Sequence, residues 1–207
     1  MGHCANAIDL PSHGDDPTPP DEVTLADYVA ATTDAMSADT ILVGHSLGGL
    51  TITLAAAAAP EKTRALVYLC AFVPPSGIVF GDHRKGAVSP AVAEFNRREG
   101  NLSIPIPDLA GDMFYHDCPP DDRAYAESRL SPQPLGPLSE ELNFRAAEVP
   151  RHYIRCLNDR VVLPAYQQQV SRDWPPETRH DMDTGHSPFF ADPGGLVGIL
   201  DRIARAL

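Results

Sequence analysis

The sequence predicts an α/β fold, a mostly parallel sheet flanked by helices and interrupted by one long inserted segment. Three observations predict it. From His3 to Val73, apolar runs of strand length alternate with helical stretches, and a β-α-β-α-β order implies parallel pairing. The run Arg64–Val73 is nearly unbroken in its apolar character, as expected of a strand covered on both faces. After Val149 the same alternation resumes.

The elements follow in order. His3–Asp9 reads as a short strand, closed by Leu10-Pro-Ser-His-Gly14 and a proline-rich loop to Pro20. Thr24 with Asp27 three residues on resembles a capping box and opens an amphipathic helix through about Met36. A strand at Ile41–Gly44 precedes a helix from Leu47 to Ala59, whose end is marked by Pro60. The alanines Ala55–Ala59 suit a helix that packs closely on a sheet. Regular alternation fails over residues 76–148, which are rich in proline, glycine and charge. Helices are expected there at Ala91–Arg98 and Asp121–Leu130, then a loop punctuated by Pro132, Pro134 and Pro137. The strand Arg151–Leu157, the helix Pro164–Trp174, a short strand Thr178–Met182 and a helix Gly195–Ala206 complete the pattern. Residues 1–75 and 149–207 are therefore expected to form the core, with 76–148 laid over it as a lid.

The stretch Thr40-Ile-Leu-Val-Gly44-His45-Ser46-Leu47-Gly48-Gly49 carries the chemistry. It joins a buried strand to a helix through G-x-S-x-G, the pattern that holds a serine hydroxyl out above a sheet edge in a tight turn. Chance would produce three such fixed positions about 0.05 times in a chain of this length. A serine hydroxyl is a weak nucleophile, so it needs a base, and the base needs an acid to orient it. Asp159, after the apolar run Tyr153–Leu157, and His186, in Thr184-Gly-His-Ser-Pro188, fill these places in the order serine, acid, histidine. All three fall beyond C-terminal ends of strands, the edge where open α/β sheets carry their sites. Asp181 and Asp183 lie too near His186 in sequence for the orienting role. The Leu47 N–H follows the nucleophile and is one expected oxyanion donor.

Composition narrows the function classes. The formal net charge of −12 argues against nucleic acid or an anionic membrane as partner. With 43% hydrophobic residues the chain is globular in character, and no apolar run approaches the ~20 residues needed to span a bilayer. Cys4, Cys70, Cys118 and Cys156 show no C-x-x-C spacing, so neither a disulfide scaffold nor a zinc site is expected, and a cytoplasmic location is the expectation. No H-x-x-x-H pair sits on a helix, so metal catalysis is not expected, and no cofactor is required.

Taken together, these segments resemble the α/β-hydrolase superfamily, in particular the compact branch of small carboxylesterases, plant methyl-ester esterases and hydroxynitrile lyases. The matching motifs are Ile8-Asp-Leu-Pro-Ser-His-Gly14, Val43–Gly49, Phe114-Tyr-His-Asp-Cys118, Cys156-Leu-Asn-Asp-Arg160 with Pro164, and Thr184–Phe190. The resemblance implies hydrolysis of a small-molecule ester through an acyl-enzyme: Ser46 as nucleophile, His186 as base, Asp159 as orienting acid. By position, His45 beside the nucleophile and Phe114 and His116 in the expected lid are pocket candidates. Hydroxynitrile lyases of this branch carry a lysine just after the histidine, where this chain has Ser187; that activity stays as an alternative, as does a catalytically weak binding protein. The family's opening strand and its His-Gly-rich oxyanion loop have no counterpart ahead of His3. The natural protein is therefore expected to begin about 25–35 residues earlier, the length of one strand, loop and helix.

Overall fold

Strand Thr63–Leu69 (β2) is buried at six of its seven positions, and its alternate side chains define the two faces of the sheet. In the computed structural model, which describes residues 2–207, Leu66 and Tyr68 point to one core and Val67 and Leu69 to the other. The sheet has four strands, in the order Thr40–His45 (β1), β2, Arg151–Cys156 and Arg179–Met182. All three pairings are parallel, as the β-α-β alternation predicts. The registers His45↔Leu69, Leu69↔Ile154 and Cys156↔Met182 bring the C-terminal ends of all four strands to one edge. Ser46 and Cys70 follow those ends directly, and Asp159 and His186 lie in the loops just beyond the other two.

One face of the sheet is covered by helices Leu25–Ala35 (α1) and Gly48–Ala58 (α2), and by Val170 and Trp174 from the region of helix Pro164–Ser171. Alanines at 55, 56 and 59 let α2 approach the strands closely. The C-terminal helix Pro193–Ala206 covers the other face with Leu196, Ile199 and Ile203. The capping box at Thr24 is formed: its hydroxyl accepts from Asp27 N–H, and the Asp27 carboxylate accepts from Thr24 N–H.

Three sequence expectations are corrected. His3–Asp9 is not a strand; it is almost wholly exposed and is tied down by His3 Nε2, which meets Asp201 Oδ1 at 2.8 Å. A short segment becomes a strand only where a neighbour takes up its backbone groups. Among the described residues β1 has no partner beyond β2, and Val43 on that edge is 44% exposed. The expected helix Ala91–Arg98 is a single 3₁₀ turn, Pro90–Ala93, followed by the hairpin Asn96–Glu99 with Leu102–Pro105. The cue was present at Gly100-Asn101, a two-residue turn with Gly100 at φ 58°, the left-handed conformation such hairpins need. The strand expected to run to Val73 ends at Leu69, because Cys70 turns left-handed with φ 37°.

Between β2 and strand Arg151–Cys156 lie two small antiparallel sheets and the helices Pro107–Phe114 and Pro120–Ser128. This segment packs against the sheet edge through Phe72, Phe80, Leu138 and Leu142, which share a core with Leu50, Val161 and Val162.

Candidate active site

Ser46 has φ 52°, one of four non-glycine residues in the left-handed region among the described residues. The turn is held by three backbone bonds: Ser46 N–H to Leu69 carbonyl at 3.2 Å, and Phe72 and Gly49 N–H to Ser46 carbonyl at 3.1 and 3.2 Å. Such strain persists only where surrounding structure over-determines it. The flanking glycines are required by space. A Cβ on Gly44 would lie 2.6 Å from the Gly48 carbonyl oxygen, and one on Gly49 would collide with the Phe72 carbonyl. Leu47 begins the helix, so its N–H has no carbonyl to meet inside it.

The acid and the histidine are joined. Asp159 is 4% exposed and His186 1%, and Asp159 Oδ2 accepts from His186 Nδ1 at 2.8 Å. A carboxylate only accepts, so Nδ1 carries the proton and Nε2 offers its lone pair. That Nε2 is buried and has no hydrogen-bond partner among the described residues. The other donors to Asp159 are Val161 and Val162 N–H on Oδ1, at 2.7 and 3.0 Å, and Gln167 Nε2 on Oδ2 at 3.0 Å. With four donors the buried carboxylate keeps its charge solvated by protein, the condition for burying it at all.

Gln167 escaped the sequence reading. Wholly buried, it accepts from Cys156 N–H at 2.9 Å and donates to Val162 carbonyl at 2.7 Å as well as to Asp159. It thereby stitches the end of strand Arg151–Cys156 to the loop that carries the acid. The available signal was its place one turn inside the helix opened by Pro164.

The remaining candidates surround His186. His45 Nε2 donates to the His186 carbonyl at 2.7 Å, and the two rings lie 4.5 Å apart. Burial, with His186 beside it, lowers the His45 pKa to about 3, so this imidazole is neutral and its Nε2 is already engaged. Phe114 sits 5.5 Å from the His186 ring and Phe189 meets His45 edge-on at 5.1 Å. His116 does not open into free space: its Nδ1 is buried without a partner, and its Cε1 lies 2.5 Å from where a Gly185 Cβ would be. Asp117 Oδ2 accepts from Gly185 N–H at 2.5 Å. A surface groove of about 530 Å³ between α1, α2 and residues 140–145 contains none of these side chains.

Comparison with known proteins identifies the family. The sequence model described as "Alpha/beta hydrolase family" matches residues 2–199. The chain belongs to this family. This alpha/beta hydrolase is 31% identical to Methylesterase 17 of Arabidopsis thaliana over 98% of its own length and 82% of the relative's. It is also 31% identical to Methylesterase 7 of the same plant, over 98% and 86%. Its fold matches the crystal structure of a pyrethroid hydrolase from Sphingobium faniae with a TM-score of 0.82, at 24% identity over 96% of this chain and 85% of that one. The acid and histidine loops of this alpha/beta hydrolase are joined by the Asp159–His186 bond, and the Ser46 turn lies at the same carboxyl edge of the sheet, with no hydrogen bond between Ser46 and His186 Nε2 among the described residues. No helix among the described residues is long and apolar enough to cross a membrane.

Proposed function

We propose that this alpha/beta hydrolase cleaves small carboxylic esters through an acyl-enzyme, with Ser46 as nucleophile, His186 as general base and Asp159 as the acid that orients it. The observation that carries the reading is the buried Asp159–His186 pair, whose Nε2 is left free on the same sheet edge as the strained serine turn. The similarity to named methylesterases and to a pyrethroid hydrolase supports ester substrates.

His186 Nε2 takes the Ser46 hydroxyl proton as the oxygen attacks the ester carbonyl. The negative charge that develops on the carbonyl oxygen is met by the Leu47 N–H, aligned with the start of α2 where the helix dipole favours an anion. The imidazolium then returns the proton to the leaving alcohol, and water repeats the sequence on the acyl-enzyme. Asp159 stays ionised throughout and stabilises the imidazolium that forms. Removing the nucleophile or base from such a unit costs on the order of 10⁴-fold or more in turnover. Residues 76–148 serve as the lid, and Phe114 with Phe189 gives the acyl or alcohol group an apolar wall.

The test is intact-mass analysis after fluorophosphonate treatment, alongside turnover of a short-chain p-nitrophenyl ester. A single adduct on Ser46, with both adduct and turnover lost in Ser46→Ala and in His186→Ala, is the expected result. An adduct elsewhere, or ester turnover that survives Ser46→Ala, would overturn the reading.

A further inference from the structure

We propose that His45, Cys70 and His186 form a binding site for one thiophilic divalent cation of the zinc or cadmium type, and that filling it stops the reaction at the neighbouring serine. The inhibitory consequence rests on the function proposed above; the binding itself does not.

The three residues come from three separate elements, the end of β1, the first residue beyond β2 and the loop after strand Arg179–Met182. Their spacing in sequence gives no hint of a metal site. The fold brings one imidazole nitrogen of each histidine and the Cys70 Sγ within 4.8 Å of one another. Among the described residues this is the one cluster of three such groups. Two imidazoles and a thiolate are ligands that zinc and its heavier congener favour, with metal–nitrogen bonds of about 2.0–2.1 Å and metal–sulfur bonds of about 2.3 Å. On a tetrahedral ion such ligands lie roughly 3.3–3.6 Å apart, so shifts of about 1 Å would close the cluster around an ion. The fourth position is left to water.

Cys70 has no part in the proposed reaction, yet its geometry is specific. Its thiol is wholly buried and is held in the left-handed region at φ 37°. Sγ points at the His186 carbonyl at 3.5 Å, the same oxygen that accepts from His45. Backbone strain in a non-glycine residue at a sheet edge is a pointer toward function, and here it aims sulfur at the histidine. Burial and the adjacent Cys156 push the Cys70 thiol well above its ordinary pKa. Loading exchanges the thiol proton for the metal–sulfur bond and releases that proton to solvent. His186 cannot ligate an ion and remain free to exchange a proton with Ser46. Whichever ring nitrogen it uses, either Nε2 is capped or the bond from Nδ1 to Asp159 is lost.

The experiment uses the full chain, chelator-treated and then titrated with Cd²⁺ while the ultraviolet thiolate-to-cadmium charge-transfer band is followed. Zn²⁺ titration of p-nitrophenyl ester turnover runs beside it. One Cd²⁺ per chain is expected, with the band lost in Cys70→Ala and kept in Cys156→Ala. Zn²⁺ should inhibit, a chelator should restore turnover, and Mg²⁺, which prefers oxygen ligands, should do nothing. Loss of the sulfur ligand should raise the half-inhibiting Zn²⁺ concentration by about 10-fold or more. Cys70→Ser, which keeps the size and the hydrogen bond to the His186 carbonyl, repeats the measurement if the alanine variant does not fold. A band unchanged in the Cys70 variants, or a Zn²⁺ inhibition curve that does not move, overturns the site. A chain that binds Cd²⁺ through Cys70 but turns over no ester would retain the site and sink the esterase reading instead.

Discussion

Gln167 donates to the same carboxylate oxygen of Asp159 that accepts from His186, at 3.0 and 2.8 Å respectively. The amide thus fixes the acid from behind while the histidine is held in front. Because Gln167 also bonds Cys156 N–H and the Val162 carbonyl, its loss leaves several buried groups unpaired at once. Gln167→Ala should cost about 2–3 kcal/mol of stability and lower kcat roughly 10-fold, with KM little changed. Gln167→Glu places a second carboxylate against Asp159 and should lower kcat further at neutral pH. Urea unfolding and steady-state ester hydrolysis measure both; unaltered kcat in both variants would remove Gln167 from the positioning of the acid.

How much of this site was legible in the sequence follows from what each residue depends on. Ser46, Asp159 and His186 sit just beyond strands whose apolar runs are local signals, so their placement along one edge of the sheet could be read from order alone. Gln167 depends on a helix packing its first turn against a strand end, and Cys70 on a strand stopping at Leu69 through a left-handed turn. The local cue for Gln167 is limited to its place one turn inside the helix opened by Pro164, and Cys70 has none. The segment His3–Asp9 failed for the opposite reason. Its identity as a strand depended on a neighbour, and its own residues cannot stand in for one. Helix Ala91–Arg98 was a misreading of local chemistry, since Gly100-Asn101 outweighs the helix-forming residues before it.

His45 is neutral in the folded chain, with a pKa lowered to about 3 by burial and by His186, whereas in the unfolded chain it titrates near its usual value of about 6.5. Below that value the unfolded state binds a proton the folded state refuses. The stability this group contributes is therefore present above about pH 6.5 and is lost as pH falls toward 3, at up to about 1.4 kcal/mol per pH unit. His13, His152 and His180 are lowered in the same direction, chiefly by burial, and add to the slope. His45→Gln keeps a donor for the His186 carbonyl and cannot titrate. Urea midpoints measured at pH 7 and pH 5 should fall less in this variant than in the wild type, and an identical fall would show that His45 does not carry the effect.

The histidine loop is clamped from the inserted segment. Asp117 Oδ2 takes the Gly185 N–H at 2.5 Å, and a Cβ at Gly185 would lie 2.6 Å from Asp117 Oδ1 and 2.5 Å from His116 Cε1. Asp117→Ala removes a charge-assisted bond worth about 1–2 kcal/mol without emptying any core. It should reduce kcat several-fold and lower the thermal midpoint by about 2–8 °C. Gly185→Ala forces both side chains away and should reduce kcat more strongly. Equal kcat in wild type and Asp117→Ala would mean that His186 is placed by Asp159 and His45 alone.

Adjacent glycines at the start of α2 should respond in opposite directions. Gly48 has nothing within 4 Å of an added Cβ and lies in the first turn of a helix, so Gly48→Ala should stabilise by about 0.4–1 kcal/mol through the lost freedom of the unfolded chain. Gly49 is buried, and a Cβ there runs into the Phe72 carbonyl, whose own N–H bonds Ser46. That carbonyl belongs to backbone and cannot swing aside as a side-chain tip would. Gly49→Ala must push α2 off the sheet or tear the Ser46–Phe72 bond, and either movement displaces Ser46. The expected outcome is a loss of more than about 2 kcal/mol together with ester turnover, against a small gain and full turnover for Gly48→Ala. Thermal unfolding of the two variants side by side decides it. Equal midpoints would mean that the close approach of helix and sheet is not what holds the serine turn in its strained form.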